Sequence, residues 1–214
     1  MSLQFIIDSA QSIDIDRRKI VGQTISRSQR LRTAERQSSV AFKITVTPVA
    51  RFRYSENRTE LESLLQKDRF EETTINLAQT QGLNYITKYQ GGLTSGQLSS
   101  MTISSFTGTQ VTFNNLPSVT SSTYLFRAGD FIQPTNSRYP YVISQDLQRG
   151  SGSLMTATVH RSLITSENIA TTGTFLVGTA TTLRLVVSEL PTYRLIQKDW
   201  AEFSGDFVLV EKII

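Results

Sequence analysis

The apolar residues of this 214-residue chain recur mainly at alternate positions, in short runs bounded by Gly, Pro, Asn and Ser. Alternation with a period of two is typical of strands that bury one face. The pattern predicts strands over residues 4–8, 19–25, 40–48, 73–78, 84–90, 100–106, 109–116, 122–128, 139–145, 154–161, 181–190, 192–197 and 206–213. So many short strands favour a mainly β fold, built as a barrel or a sandwich.

One segment has the period of a helix instead. Leu61, Leu64 and Leu65 fall at i, i+3 and i+4, which places them on one helical face. Ser55 or Asn57 precedes them as a candidate N-cap, and Thr59 and Glu62 have the spacing of a capping box. We expect a single flanking helix over about 56–68, with its leucines packed on a sheet.

The composition of the chain changes at the glycine-rich stretch QGGLTSGQLSS, residues 90–100. From there to about residue 185, Ser and Thr are abundant and acidic residues are rare, and after 190 aromatic and charged residues return. Glycines at such a boundary are typical of a hinge. We therefore predict a β barrel built from residues 1–94 and 186–214, with a small β-barrel module, 95–185, inserted into it.

Positive charge is concentrated in one stretch, RRKIVGQTISRSQRLRTAERQ, residues 17–37. It holds seven basic residues and one acidic residue of a chain with 22 and 18, which leaves 15 basic and 17 acidic residues, a net −2, elsewhere. The basic residues are Arg17, Arg18, Lys19, Arg27, Arg30, Arg32 and Arg36. A run of this kind can bind nucleic acid, an anionic membrane or an acidic protein surface.

The residue types of the basic stretch favour some of these partners over others. It contains no aromatic residue, whereas sites for single-stranded nucleic acid usually combine positive charge with aromatic stacking platforms. Arginine forms forked pairs with carboxylates, which favours an arm that contacts an acidic neighbouring subunit. A solvated loop or hairpin with ordinary surface charge remains open, as does binding to nucleic acid or a membrane.

Candidate catalytic residues are few, and we expect no enzyme, no metal and no cofactor. The chain has no cysteine and one histidine, His160, so thiolate metal sites and cysteine nucleophiles are excluded. Alternation in TATVHRSLI places His160 on one strand face and Arg161 on the other, and we interpret His160 as a structural or surface residue. Acidic residues that a glycosidase would need as a pair lie on separate predicted strands and loops: Asp130, Asp146, Glu167 and Glu189.

No targeting or membrane-spanning pattern is visible. The first ten residues, MSLQFIIDSA, lack a basic lead and a long apolar run, and no apolar run approaches the roughly 20 residues that cross a bilayer. We expect a soluble protein.

Three stretches resemble virion proteins of tailed bacteriophages, of the kind found in baseplates and at the distal end of the tail tube. The opening FIIDSAQSIDIDRRKIVGQTISRSQRLRTAERQ is similar to the family's start, with its basic SRSQR arm. The middle YLFRAGDFIQPTNSRYPYVISQDL, followed by TATVHRSLIT, resembles a small β module of such proteins, although Ser162 stands where proline is expected. The close SGDFVLVEKII resembles the family's last strand.

The resemblance implies a tail-tube-like β barrel or sandwich that assembles as a closed ring in the virion. Distal tail rings are typically hexamers and central hubs trimers, so a homo-hexamer is favoured and a trimer is the alternative. Other tail tube and baseplate proteins are the implied partners, with neither a membrane nor a specific nucleic acid among them. In such a ring the seven basic residues would contact the adjacent subunit.

Two other functions remain open from the sequence. A nucleic-acid-binding protein could use the basic stretch 17–37 together with an OB-like middle module. A carbohydrate-binding or depolymerising tail protein is disfavoured because Trp200 is the only tryptophan. DNA passing through a ring would be held by arginines in its channel, so we predict that the basic stretch points away from it.

Overall fold

A computed structural model describes residues 2–17, 21–25, 31–35, 40–66, 71–78, 83–164 and 171–213. Its helices are α1 (Ser2–Asp8), α2 (Tyr54–Leu65) and α3 (Ser95–Ser100), with a 3₁₀ turn at Gly178–Ala180. Its strands are β1 (Ala10–Asp16), β2 (Val21–Ile25), β3 (Leu31–Glu35), β4 (Lys43–Pro48), β5 (Phe52–Arg53), β6 (Thr73–Ile75), β7 (Thr102–Thr107), β8 (Gln110–Asn114), β9 (Tyr124–Phe126), β10 (Phe131–Pro134), β11 (Tyr141–Val142), β12 (Leu147–Gln148), β13 (Met155–Thr158), β14 (Phe175–Val177), β15 (Leu183–Glu189), β16 (Tyr193–Ile196), β17 (Trp200–Phe203) and β18 (Phe207–Glu211).

The mainly β prediction is confirmed, but the described strands do not close into a barrel. They form one five-stranded sheet, β1-β4-β18-β15-β6, and several sheets of two or three strands: β11-β10-β14, β12-β9, β13-β8-β7, β16-β17-β5 and β2-β3. Each of these sheets ends on strands that pair on one side only within the described part of the chain. A barrel requires every strand to pair on both sides.

The five-stranded sheet buries one face because its strands alternate as the sequence predicts. Ile44 and Val46 of β4 are fully buried, as are Leu183 and Leu185 of β15 and Leu209 of β18, while residues between them are more exposed. These side chains form an apolar cluster with α1, α2 and neighbouring residues. The strands are antiparallel, with Val46 opposite Phe207 and Val187 opposite Leu209.

The prediction of a strand at residues 4–8 is wrong, since helix α1 occupies this segment. Leu3, Ile6 and Ile7 lie at i, i+3 and i+4 and are all buried in the cluster under the five-stranded sheet. The Gln4 side chain fixes the helix, because its amide donates to the Asn76 carbonyl and accepts the Asn76 N–H, both at 2.9 Å. Leu3, Ile6 and Ile7 have helical spacing in the sequence, but the consecutive apolar residues 5–7 also fit a short strand.

Helix α2 confirms the predicted helix, with a different cap. Leu61 and Leu64 are buried as expected, but Leu65 is 52% exposed. Neither Ser55 nor Asn57 caps the helix. Instead, the Asp199 carboxylate, from the connection between β16 and β17, accepts the Ser55 N–H at 2.9 Å and also the Ser55 hydroxyl. The chain therefore has more helices than the single one predicted, and the α2 cap comes from a distant segment.

A second apolar cluster lies among the strands from β7 to β14 and includes Phe113, Phe126 and Tyr141. Helix α3 precedes it and was not predicted, although Thr94 and Gln97 form a capping box. The predicted strand 84–90 is wrong, because Ile86 N–H bonds the Leu83 carbonyl and Lys88 N–H bonds that of Tyr85, as in successive turns. The division into 1–94 with 186–214 and 95–185 stays a prediction.

Candidate functional site: the basic hairpin and the Arg17–His160 cleft

The centre of the basic stretch forms an antiparallel hairpin of β2 and β3. The pairing runs from Val21 opposite Glu35 to Ile25 opposite Leu31. No third strand pairs with this hairpin among the described residues. An isolated two-stranded hairpin is at best marginally stable in water, so a surface that packs against it would stabilise it.

The seven basic residues predicted as inter-subunit contacts are only partly described. Arg17 directly follows β1 and is exposed. Arg32 lies in β3, opposite Thr24 of β2. Arg18, Lys19, Arg27, Arg30 and Arg36 lie outside the described residues. Strand β3 was not predicted, since the apolar residues of LRTAE, Leu31 and Ala34, do not alternate with a period of two.

Strand β1, which leads into the hairpin, is an outer strand of the five-stranded sheet. It pairs with β4 from Ala10 opposite Pro48 to Asp16 opposite Lys43, and its other edge carries no strand within the described ranges. An unpaired edge presents backbone donors and acceptors to another chain unless it is covered or charged. Arg17, which directly follows β1, therefore lies at the end of this open edge.

The middle of the chain is joined to its last strand by a buried ion pair. Arg161 is 1% exposed and Glu211, at the end of β18, is 3% exposed. The Arg161 guanidinium forms a fork with the Glu211 carboxylate, with Nη1 2.5 Å from Oε2 and Nη2 2.9 Å from Oε1. Arginine prefers this bidentate geometry because its planar donors match two carboxylate oxygens.

Further hydrogen bonds hold the same pair. Nη1 of Arg161 donates to the Val40 carbonyl at 2.7 Å and Nη2 to that of Pro140 at 2.8 Å. The Glu211 carboxylate also accepts the Phe42 N–H at 3.1 Å. The ion pair thus connects the segment before β4, the middle of the chain and its last strand. The sequence predicted a strand that continues through His160 and Arg161 with the two on opposite faces, whereas β13 ends at Thr158.

His160 lies next to this ion pair and is held by the backbone. Its Nδ1 accepts the Val142 N–H at 3.0 Å, so the neutral ring carries its hydrogen on Nε2. That Nε2 is buried and has no hydrogen-bond partner among the described residues. Burial lowers the pKa of His160 to about 3, with smaller contributions from the positive charges of Arg161 and Arg17.

A surface cleft separates the end of β1 from the loops around His160. It consists of two adjoining cavities of about 260 and 460 Å³ that share Arg17 and Gly129. Gly129 has a φ of +102°, which an L side chain rarely adopts. The cleft is lined by Ile15, Ile86 and Phe131 in the smaller cavity, and by Ala128, Ile143, Ser144 and His160 in the larger. We call it the Arg17–His160 cleft.

Two of the acidic residues considered for catalysis, Asp130 and Asp146, are held within the chain by hydrogen bonds. The buried Asp130 carboxylate accepts the N–H groups of Gln90 and Arg127, both at 2.8 Å, and burial raises its pKa. Asp146 accepts the Ala128 N–H and pairs with Arg127, which lowers its pKa. Glu189 ends β15 and Glu167 lies outside the described residues. Both described aspartates hold the loop 127–130 in place.

Within the described ranges, no cluster of three or more His, Asp or Glu side chains is arranged to hold a metal ion. No helix in the part of the chain that the structure describes is long and apolar enough to cross a membrane. The chain matches no protein-family model, and no curated protein is significantly similar to it.

Proposed function

We propose that the chain is a structural protein of a tailed-bacteriophage tail. In this proposal, identical copies form a closed ring in the baseplate or at the distal end of the tail tube, and the ring connects the tube to the baseplate. A hexamer is favoured and a trimer, the arrangement of a central hub, is the alternative. Other tail tube and baseplate proteins are its further partners, and the protein is located in the virion.

One observation carries the proposal. The β2–β3 hairpin pairs with no third described strand, carries part of the basic stretch and directly follows the open edge of β1. Head-to-tail contacts between copies close into rings, and a hairpin beside an open edge supplies such a contact. The rest of the chain, outside residues 17–37, has a net charge of −2, which favours contact with the basic stretch of a neighbouring copy.

The direct test is the mass of the purified full chain in solution, measured by sedimentation velocity or native mass spectrometry. We expect a hexamer or a trimer. A variant with Arg17, Arg18, Lys19, Arg27, Arg30, Arg32 and Arg36 all changed to Gln should dissociate into smaller species. A strict monomer at all concentrations, together with its absence from contacts between copies in the virion, would refute the ring.

The control variant removes equal charge from elsewhere on the surface. Lys43, Arg51, Lys88, Arg138, Arg194, Lys198 and Lys212 are all exposed, and changing them to Gln also removes seven positive charges. If net charge alone governs assembly, both variants dissociate equally. If the basic hairpin makes the contact, only the first variant does.

The same two variants test the nucleic-acid alternative, which the basic stretch favours. DNA binding through phosphates should weaken with salt with a log-log slope of about −0.9 per phosphate contacted. A monomer that binds DNA at about 50 mM salt, and loses this binding only in the first variant, would replace the ring with a nucleic-acid-binding function. An assembled ring without DNA binding supports the structural function.

A further inference from the structure

Helix α2 and strand β16 hold a carboxylate between two tyrosine side chains. The Oε1 atom of Glu62 accepts hydrogen bonds from the hydroxyls of Tyr54, at 2.9 Å, and Tyr193, at 3.1 Å. The two ring centroids lie 6.3 Å apart. Oε2 of Glu62 accepts no hydrogen bond from a described residue and is not a buried atom, and the carboxylate forms no ion pair with a described residue. Its second oxygen is therefore free to accept a hydrogen bond from another molecule.

Exposed leucines border this carboxylate on both elements. Leu65 follows Glu62 by three residues on α2, and residues at this spacing are neighbours on a helix surface. Leu195 follows Tyr193 by two residues on β16, so both lie on the strand face that is turned toward Glu62. Leu65 is 52% and Leu195 61% exposed, and they are two of the four large hydrophobic side chains that the described part of the chain exposes. We call Glu62, Leu65, Tyr193 and Leu195 the Glu62 patch.

The chemistry of the patch is complementary to that of the basic hairpin. Apolar and aromatic groups around one carboxylate suit a segment in which basic and apolar residues are adjacent. The stretch 17–37 has this composition, and its RLR, residues 30–32, places a leucine between two arginines. A guanidinium donates charge-assisted hydrogen bonds to a carboxylate and stacks on aromatic rings. The β2–β3 hairpin pairs with no third described strand, so a surface of this kind would also stabilise it.

We propose that the Glu62 patch of one copy receives the β2–β3 hairpin of the next copy. A basic side chain of the hairpin pairs with Glu62, and apolar residues of the hairpin pack on Leu65 and Leu195. This inference rests on the proposed ring and names the surface at which its copies meet. The contact joins two different surfaces, so an open row of copies has one unused patch and one unused hairpin at its ends, and only closure satisfies both.

Two matched pairs of substitutions in the full chain test the patch. Glu62→Gln keeps an acceptor for the tyrosine hydroxyls and removes the charge, so it should raise the dissociation constant between subunits about tenfold or more. Glu56→Gln removes the same charge from the exposed first turn of α2 and should not. Leu195→Arg should weaken assembly because it adds a positive charge where the basic hairpin lies, whereas Leu154→Arg, at a leucine 53% exposed elsewhere, should not. Sedimentation velocity over a range of concentrations measures all four.

A mixing experiment identifies the two surfaces that meet. The variant with all seven basic residues changed to Gln retains the patch, and the double variant Glu62→Gln/Leu195→Arg retains the hairpin. Each alone should be monomeric, and an equimolar mixture should form a 1:1 dimer and nothing larger, because only one complete contact is possible.

The outcomes separate this inference from the ring itself. If the wild type assembles and both Glu62→Gln and Leu195→Arg assemble equally well, or if the mixture stays monomeric, the hairpin contacts another surface and the inference is overturned while the ring stands. A wild type that stays monomeric at all concentrations overturns the inference for a different reason, since the copies then make no contact by themselves.

Discussion

Arg161 and Arg17 both lie close enough to His160 to lower its pKa, yet their surroundings are opposite. Arg161 is buried, forks onto Glu211 and donates to two backbone carbonyls. Arg17 is exposed at the end of the edge strand β1 and forms no ion pair with a described residue. Arg161 therefore joins distant segments of the same chain, while Arg17 is available to contact another molecule.

This difference separates charges that stabilise the fold from charges that are available for binding. A charge that is buried and paired within the chain is explained by folding, and its removal should cost stability. A charge without an internal partner contributes little to folding, and its removal should change binding. Substitutions at both places, and at two intermediate ones, test the distinction.

The largest effect is expected at the buried pair. Arg161→Met leaves the Glu211 carboxylate buried without its partner, which should lower the free energy of unfolding by about 3–5 kcal/mol. The double variant Arg161→Met/Glu211→Leu should lose much less, because no unpaired charge remains. Urea unfolding of the full chain measures both. Equal losses in the two variants, or a loss below about 1 kcal/mol in the first, would contradict this account.

The next effect depends on pH and belongs to His160. Its pKa of about 3 in the folded chain lies below the value of about 6.5 in an unfolded chain. Between these values the unfolded state binds a proton that the folded state does not, so the free energy of unfolding falls as the pH is lowered. The loss should be about 1 kcal/mol per pH unit between pH 6 and 4.

The control variant is His160→Asn. It keeps the part of the pH dependence of unfolding that comes from the carboxylates and loses the part that comes from His160. Unfolding by urea at pH 7, 6, 5 and 4 should show a steeper loss of stability for the wild type than for this variant. Equal slopes would mean that His160 takes up its proton over the same pH range in the folded and the unfolded chain.

An intermediate effect is expected at the cap of α2. Asp199→Ala removes the carboxylate that accepts the Ser55 N–H and hydroxyl, and should destabilise the chain by about 1–2 kcal/mol. Asp199→Asn retains an acceptor and tolerates the positive φ of 65° at this position, so it should stay close to the wild type in thermal unfolding. If both substitutions have the same effect, the negative charge matters more than the hydrogen bond.

The residues that could be predicted from the sequence are those with a regular local period. Alternation identified β4, β15 and β18 because one side of each strand is buried. The spacing of Leu61 and Leu64 identified α2 because one face of this helix is buried. Strands β5 and β12 have two residues each and therefore show no alternation, and the apolar Leu31 and Ala34 of β3 are three residues apart.

The pairing of distant residues was not predictable from a single sequence. Glu211 pairs with Arg161 and Asp199 caps α2 because the fold brings distant segments together. The basic stretch was found because its charges are adjacent in sequence. The cleft beside it was missed because Arg17 and His160 are far apart along the chain.

The smallest effect on stability is expected at Arg17. Because no described residue pairs with it, Arg17→Ala should change the free energy of unfolding by no more than about 0.5 kcal/mol. Arg194→Ala, which breaks an exposed pair with Glu202, should cost a similarly small amount. If the ring forms, the two variants should differ in assembly, since only Arg17 belongs to the basic stretch. A loss of stability in Arg17→Ala comparable to that of Arg161→Met would show that both arginines serve the fold alone.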